Sequence, residues 1–282
     1  MSVIDAHVHL ATGSPVFNEW AQKTGADHSF EGLLRDMDRN DVERAILIGH
    51  WVIDEGMRDR PFTNRTNNDL IHYIERSEGR FRGLLGINLT DTGPLDLGLI
   101  DEYLSRPEFP GVKCFTGYEK YRADDPRLEP LFDVLEKHNA LVMFHTGDTL
   151  LPSGHVNYAH PMPADELAVA HPGMTIVLAH SGQHWMPDAG EVIGKNPNVW
   201  GDISGWFVGR PDLPPHVEFL RHQFQSLIYW GVGCDKLMFG TDWPLMAIRP
   251  YIEFVESCDF LTGEERKMIM YDNADRLYWK QK

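Results

Sequence analysis

Short, β-branched apolar runs recur along this chain, separated by longer stretches in which apolar residues fall at helical spacing. VIDAHVHL (3–10), RAILIG (44–49), RGLLGINL (82–89) and GVKCF (111–115) read as strands, as do ALVMFH (140–145), TIVLAH (175–180), VWGDIS (199–204) and KLMFGTD (236–242). Three intervening segments and one after the last strand carry helix signals. SFEGLLRDMDRND (29–41) has apolar residues at helical spacing, and NNDLIHYIERSEG (67–79) runs to a stop at Gly79. DPRLEPLFDVLEKHN (125–139) opens with Asp125 as N-cap and Pro126 at the first helical position. LTGEERKMIMYDNADRLYW (261–279) opens with Thr262 and Glu265 at capping-box spacing.

Strands that alternate with helices predict a parallel sheet with crossover connections, and eight such units most simply close as an α/β (β/α)8 TIM barrel. The competing open, doubly wound sheet calls for a glycine-rich phosphate loop after an early strand. Neither G-x-G-x-x-G nor G-x-x-x-x-G-K-[ST] occurs. With no low-complexity segment or Ser/Gly linker, residues 1–282 are expected to form a single barrel domain.

Polar residues interrupt these apolar strands at particular places. Asp5, His7 and His9 stand at every second position of the first strand, so the alternation of a strand puts them on one face. Three polar groups on one face of a buried strand need a partner, and a metal ion is one. His145, His180 and Asp242 end the fifth, sixth and eighth strands, and Lys113 lies near the end of the fourth. A barrel brings all these strand ends to its C-terminal face, where active sites are built. Histidines with one carboxylate and no thiolate form a nitrogen/oxygen set suited to Zn²⁺, Mn²⁺ or Fe²⁺. His28, His72, His138, His171 and His222 lie off the strand ends and are read as surface or structural.

Composition removes several alternatives. The formal charge is −16 with no basic stripe, which argues against nucleic acid and anionic membranes as partners. Cys114, Cys234 and Cys258 are far apart with no C-x-x-C, so neither a disulfide framework nor a zinc ribbon is expected. The first residues lack the basic region of a signal peptide, and apolar runs are far shorter than the roughly 18 residues of a membrane span. A soluble, cytoplasmic protein is the expectation.

D-A-H-V-H at the start, F-H-T-G-D (144–148), A-H-S-G (179–182), F-G-T-D-W-P (239–244) and N-A-D-R-L (273–277) together resemble the amidohydrolase superfamily. The resemblance is closer to its amidohydrolase-related branch, which includes aminocarboxymuconate-semialdehyde decarboxylase-like enzymes. It implies one divalent metal, zinc first and manganese or iron next, held by His7, His9, His145 and Asp242. It further implies that His180 faces the substrate as a catalytic acid/base or serves as a further ligand, and that Asp242, ligating or adjacent, can move a proton between the metal-bound water and the leaving group. Lys113 matches the strand from which binuclear members offer a carbamylated lysine. The expectation here is an ordinary ammonium that contacts substrate or a carboxylate such as Asp5, with Asp5 itself structural.

The loops after the strands supply a pocket. Candidate substrate-binding residues are Lys113, His50, Trp51 and Arg249, with Arg58, Arg60, Arg65, Trp206, Phe207 and Trp243 nearby in sequence or on neighbouring loops. Aromatics beside arginines suit a small cyclic or aromatic acid. The leading expectation is a hydrolase that opens an amide or lactone with a metal-activated water, whose pKa such a site lowers to about 7. The alternative is a metal-dependent, non-oxidative decarboxylase of a small aromatic or unsaturated acid. The expected partner is a small molecule, and a homodimer is one assembly open to the chain.

Overall fold

All eight expected strands form, each overlapping its expected run. The computed structural model describes residues 2–10, 14–49, 64–89, 95–208 and 214–280. In it β1 (Val3–Val8), β2 (Val42–Ile48), β3 (Phe81–Ile87) and β4 (Gly111–Cys114) are followed by β5 (Leu141–His145), β6 (Ile176–Ala179), β7 (Val199–Asp202) and β8 (Leu237–Met238). They pair in sequence order, every pair parallel. The sheet closes on itself through separate hydrogen bonds between its first and last strands. Ala6 N–H donates to Phe239 O (2.9 Å), Asp242 N–H to His7 O (2.8 Å) and His9 N–H to Trp243 O (2.7 Å). The result is a (β/α)8 barrel, as the alternation of elements predicts.

Two-residue alternation divides the core. On β5, Leu141 and Met143 face the barrel interior with Ile4, Ile46, Leu84, Val177 and Met238, while Val142 and Phe144 pack outward. The outward side meets helices that include α1 (Pro15–Thr24), α2 (Phe30–Arg39), α3 (Asn64–Arg76), α4 (Leu97–Leu104) and α5 (Glu129–His138). After them come α6 (Pro163–Ala170), α7 (Met186–Lys195), α8 (Pro214–Leu227), α9 (Ile248–Glu256) and α10 (Gly263–Lys267). α2 starts where Ser29 accepts the Gly32 N–H (3.0 Å) and buries Phe30, Leu33 and Met37. Asp125 caps as expected, but it opens a 3₁₀ turn that leads into α5.

The last segment departs from a single regular helix. The Thr262–Glu265 capping box is present, yet α10 gives way to π-helical turns over Met268–Asp272 and Asp275–Trp279. Ile269 O accepts the Phe239 N–H, and the Asn273 side chain donates to Cys234 O and Leu237 O. These bonds tie the segment to β8, and its backbone ladder widens where they compete with the regular pattern. Leu277 and Tyr278 then join the barrel-interior cluster. Among the described residues no helix is long and apolar enough to cross a membrane, and the three cysteines are buried and unpaired.

Candidate active site

β1, β5, β6 and β8 each lead a histidine or a carboxylate into one buried cluster. His7 Nε2 and His9 Nε2 stand 3.2 Å apart, and Asp242 Oδ1 lies 2.9 Å from His9 Nε2 and 3.6 Å from His7 Nε2. Beside them, His145 Nδ1 and His180 Nε2 face each other at 3.2 Å, and the His7 and His180 ring centroids are 4.9 Å apart. The backbone here is unusual. His180, Ser181, Gln183 and Asp242 all have positive φ, at 64°, 42°, 42° and 69°. Such conformations persist only where surrounding contacts enforce them, and they gather at functional sites. Thr146 Oγ1 takes the Gly182 N–H (3.0 Å) and Trp206 Nε1–H donates to His180 O (2.8 Å), fixing the turn after β6.

The donor set fits a metal ion. His7 donates Nδ1–H to the Asp202 carboxylate (3.0 Å), which leaves Nε2 as a bare lone pair. That lone pair faces Asp242 Oδ1 at 3.6 Å, a buried oxygen that also lies 2.9 Å from His9 Nε2. His145 donates Nε2–H to Asp148 O (2.8 Å), and His180 Nδ1 lies against Ser204 O (3.1 Å), a carbonyl that can only accept. Their two remaining nitrogens are therefore both acceptors at 3.2 Å. Electron-rich atoms pressed together in a buried site call for a cation. Ligand atoms of His7, His9 and Asp242 lie within 4.8 Å of one another, as do those of His7, His180 and Asp202. His145 joins neither trio and meets the cluster through His180.

Electrostatics agree with that chemistry. Burial depresses His9, His145 and His180 below the usual imidazole range, His145 to about 3, so they are neutral, the form that binds metal. Burial raises Asp242 above the usual carboxylate range, against the pull of His7 and Lys113. For Asp202 burial acts upward too, but His7, Ser204 and the His180 N–H outweigh it and hold the carboxyl low. Asp5 lies outside the donor set. It accepts from Thr241 N (3.0 Å), Thr241 Oγ1 (2.6 Å) and His7 N (3.1 Å), a bracing role between β1 and β8.

A cavity of about 370 Å³ opens over this cluster. His9, His145, His180, Asp242 and Lys113 reach it, and Phe17, Phe115, Tyr118, Trp206 and Leu245 are among its walls. Lys113 is 1% exposed and its Nζ has no hydrogen-bond partner among the described residues, so the expected pairing with Asp5 does not form. Burial brings it down to about 8, opposed by Asp202 and Asp242.

Other expectations need correction. Arg249 sits at the start of α9, 58% exposed and paired with Glu253 (2.8 Å), away from the cavity. Trp243 is buried beside the His28 ring and donates Nε1–H to Asp36 (3.2 Å), while Phe207 packs in the outer core. His50 and Trp51 lie outside the described residues, as do Arg58 and Arg60. Sequence reasoning overlooked Asp202 and Ser204, whose signal was the one that marked the others: a polar residue at the end of an apolar strand.

Comparison with known proteins places the chain. The profile of the amidohydrolase family matches residues 4–279. A 2-amino-3-carboxymuconate-6-semialdehyde decarboxylase from Dictyostelium discoideum is 24% identical over 257 residues, 75% of this chain. The chain spans 65% of that relative's length, a little under two thirds. A gamma-resorcylate decarboxylase from Rhodococcus jostii (strain RHA1) is 22% identical over 294 residues, 87% of this chain and 86% of the relative. Among solved structures, a dihydroxybenzoic acid decarboxylase from Polaromonas sp. JS666 with bound manganese superposes with a TM-score of 0.68 at 17% identity, covering 98% and 96% of the two chains. A protein from Pseudomonas putida assigned as a 2-pyrone-4,6-dicarboxylic acid hydrolase gives 0.69 at 18%, covering 98% and 97%. At these identities the structures speak to the fold, and it is the profile, spanning nearly the whole barrel, that decides membership: the chain belongs to the amidohydrolase family.

Proposed function

We propose that this chain is a metal-dependent, non-oxidative decarboxylase of a small aromatic or unsaturated carboxylic acid, the second of the two activities weighed from sequence. The observation that carries this reading is Lys113, a buried ammonium without a hydrogen-bond partner among the described residues, on the wall of a cavity where aromatic and apolar side chains such as Phe17, Phe115 and Trp206 stand beside the histidine cluster. A charge so placed is satisfied by an anionic ligand, and a carboxylate is one. Both curated relatives named above are decarboxylases, which supports the same order of preference over hydrolysis.

In this reading His7, His9 and Asp242 hold one divalent ion, with His145 and His180 beside it. When bound, the ion supplies positive charge that orients substrate oxygens and offsets developing negative charge. We favour zinc, with manganese or iron able to take the same donors. Lys113 anchors an anionic oxygen, and Phe17, Phe115 and Trp206 exclude water around the ring or chain. The bond between the organic carbon and its carboxyl carbon breaks, its electron pair stays on the organic carbon, and CO₂ leaves. Asp242, beside the substrate on the cavity wall, delivers the proton that this carbon takes and regains it from solvent. His180 Nε2, as an acceptor, positions a substrate hydroxyl.

Hydroxybenzoic and unsaturated carboxylic acids, offered to the metal-loaded protein in D₂O, test the reading. Release of CO₂ with deuterium at the vacated carbon is the expected outcome. Transfer of ¹⁸O from labelled water into a product acid, without CO₂, would replace it with hydrolysis.

A further inference from the structure

Asp202, at the end of β7, touches both halves of the histidine cluster. Its Oδ2 accepts from His7 Nδ1 at 3.0 Å. Its Oδ1 accepts from His180 N (2.9 Å), Ser204 N (3.0 Å) and the Ser204 hydroxyl. Ser204 Oγ in turn lies 2.8 Å from His180 Nδ1. Asp202 and Ser204 are both fully buried, so no water substitutes for these partners. Gly205 makes the approach feasible: its φ is +73°, and a Cβ there would sit 2.8 Å from His180 Nδ1.

The direction of every bond in this chain follows from the carboxylate. Asp202 only accepts, so the Ser204 proton points to it, and Ser204 Oγ is left to accept from His180. His180 must then carry its proton on Nδ1, with Nε2 bare. At the other oxygen, His7 must carry its proton on Nδ1, again with Nε2 bare. We infer that Asp202 is a positioning residue that sets the tautomer of His7 directly and, through the Ser204 hydroxyl, reinforces that of His180, whose Nδ1–H the Ser204 carbonyl also takes (3.1 Å), so that both Nε2 lone pairs are aimed into the site. The inference rests on the metal-centre reading for its consequence, and on geometry alone for the tautomers.

Asp202→Asn separates this role from the alternatives. The three donors at Oδ1 keep an oxygen on their side, which turns the new amide NH₂ toward His7 Nδ1. His7 Nδ1 must then accept, and the His7 proton moves to Nε2, the atom that should bind metal. Long-range ¹H–¹⁵N spectra of the histidine rings in metal-free protein read the tautomers, and Zn²⁺ competition against a chelating indicator reads affinity. Expected are a His7 proton on Nδ1 in the wild type and on Nε2 in Asp202→Asn, with Zn²⁺ affinity lower by about 10- to 100-fold. Ser204→Ala should leave Zn²⁺ affinity within about twofold of wild type, because the His7 arm is intact.

An unchanged His7 tautomer in Asp202→Asn overturns the inference, and weakened metal binding without the switch would instead make Asp202 a ligand. Should Asp202→Asn not fold, the wild-type spectrum still decides: a His7 proton on Nε2 refutes the assignment. A wild-type protein that binds no Zn²⁺ but shows the tautomer switch would sink the metal reading and leave this one standing.

Discussion

Lys113 shows at residue scale how one side chain can weaken the fold and serve the site. An ammonium buried without a partner is destabilising, because the desolvation of the charge is not offset. Lys113→Met fills the same space without that charge, so thermal stability should hold or rise. The same change removes a charged anchor worth about 1.5–3 kcal/mol, so KM for an anionic substrate should rise roughly 10- to 100-fold. Michaelis curves and thermal unfolding on one preparation check both halves; an unchanged KM would release Lys113 from the pocket. His7, His9, His145, His180 and Asp242 were legible in sequence because alternation and strand-end position mark them. Asp202 carried the same mark but, in VWGDIS, stands without a second metal-type residue, and its partner His7 is far away in the chain. Arg249 was placed on the loop after the eighth strand, but α9 begins at Ile248 and its guanidinium pairs with Glu253.

At the scale of elements, the strand positions were readable from apolar runs, while their ends were set by neighbours. β8 was expected over 236–242 but is a ladder only at Leu237–Met238, because its later residues meet β1 through single bonds and turn at Asp242. The junction of β3 and β4 has its own device in Glu119. Its Oε2 takes the Leu89 N–H just after β3 (2.8 Å), its Oε1 is buried without a hydrogen-bond partner among the described residues, and burial pushes the carboxyl up to about 8 from the ordinary 4.5. The folded state therefore keeps a proton that the unfolded chain releases above about 4.5. Glu119 then contributes stability that is fully present below that value and lost as pH rises toward about 8. Each unit of the shift corresponds to about 1.4 kcal/mol, so the effect should be visible by denaturant unfolding at pH 5 and pH 8. Glu119→Gln, which keeps an oxygen for Leu89, should flatten that decline; an equally steep profile would assign it to other groups.

Across the whole molecule, the seam of the barrel and the donor set coincide. β1 and β8 join through His7 O, His9 N, Asp242 N and Trp243 O, and the side chains of three of these residues also stand as candidate ligands. An ion held by His7, His9 and Asp242 would bridge the two strands at the place where regular ladder pairing is thinnest. Binding there must stabilise the fold by mass action, about 2.7 kcal/mol when free metal is at 100 times its Kd. For a chain of this size that should raise Tm by several degrees. Elemental analysis of gently purified protein should find about one divalent ion per chain, and a chelator should abolish turnover while lowering Tm. The location of the loss is the sharper test. Hydrogen exchange should speed up at His9 N and Asp242 N, whose bonds close the seam, while β4 to β6 on the far side change little. A uniform increase would describe a metal that supports the barrel generally. No change at the seam, with metal shown to leave, would mean that the ion sits elsewhere and that His7, His9 and Asp242 are not its ligands.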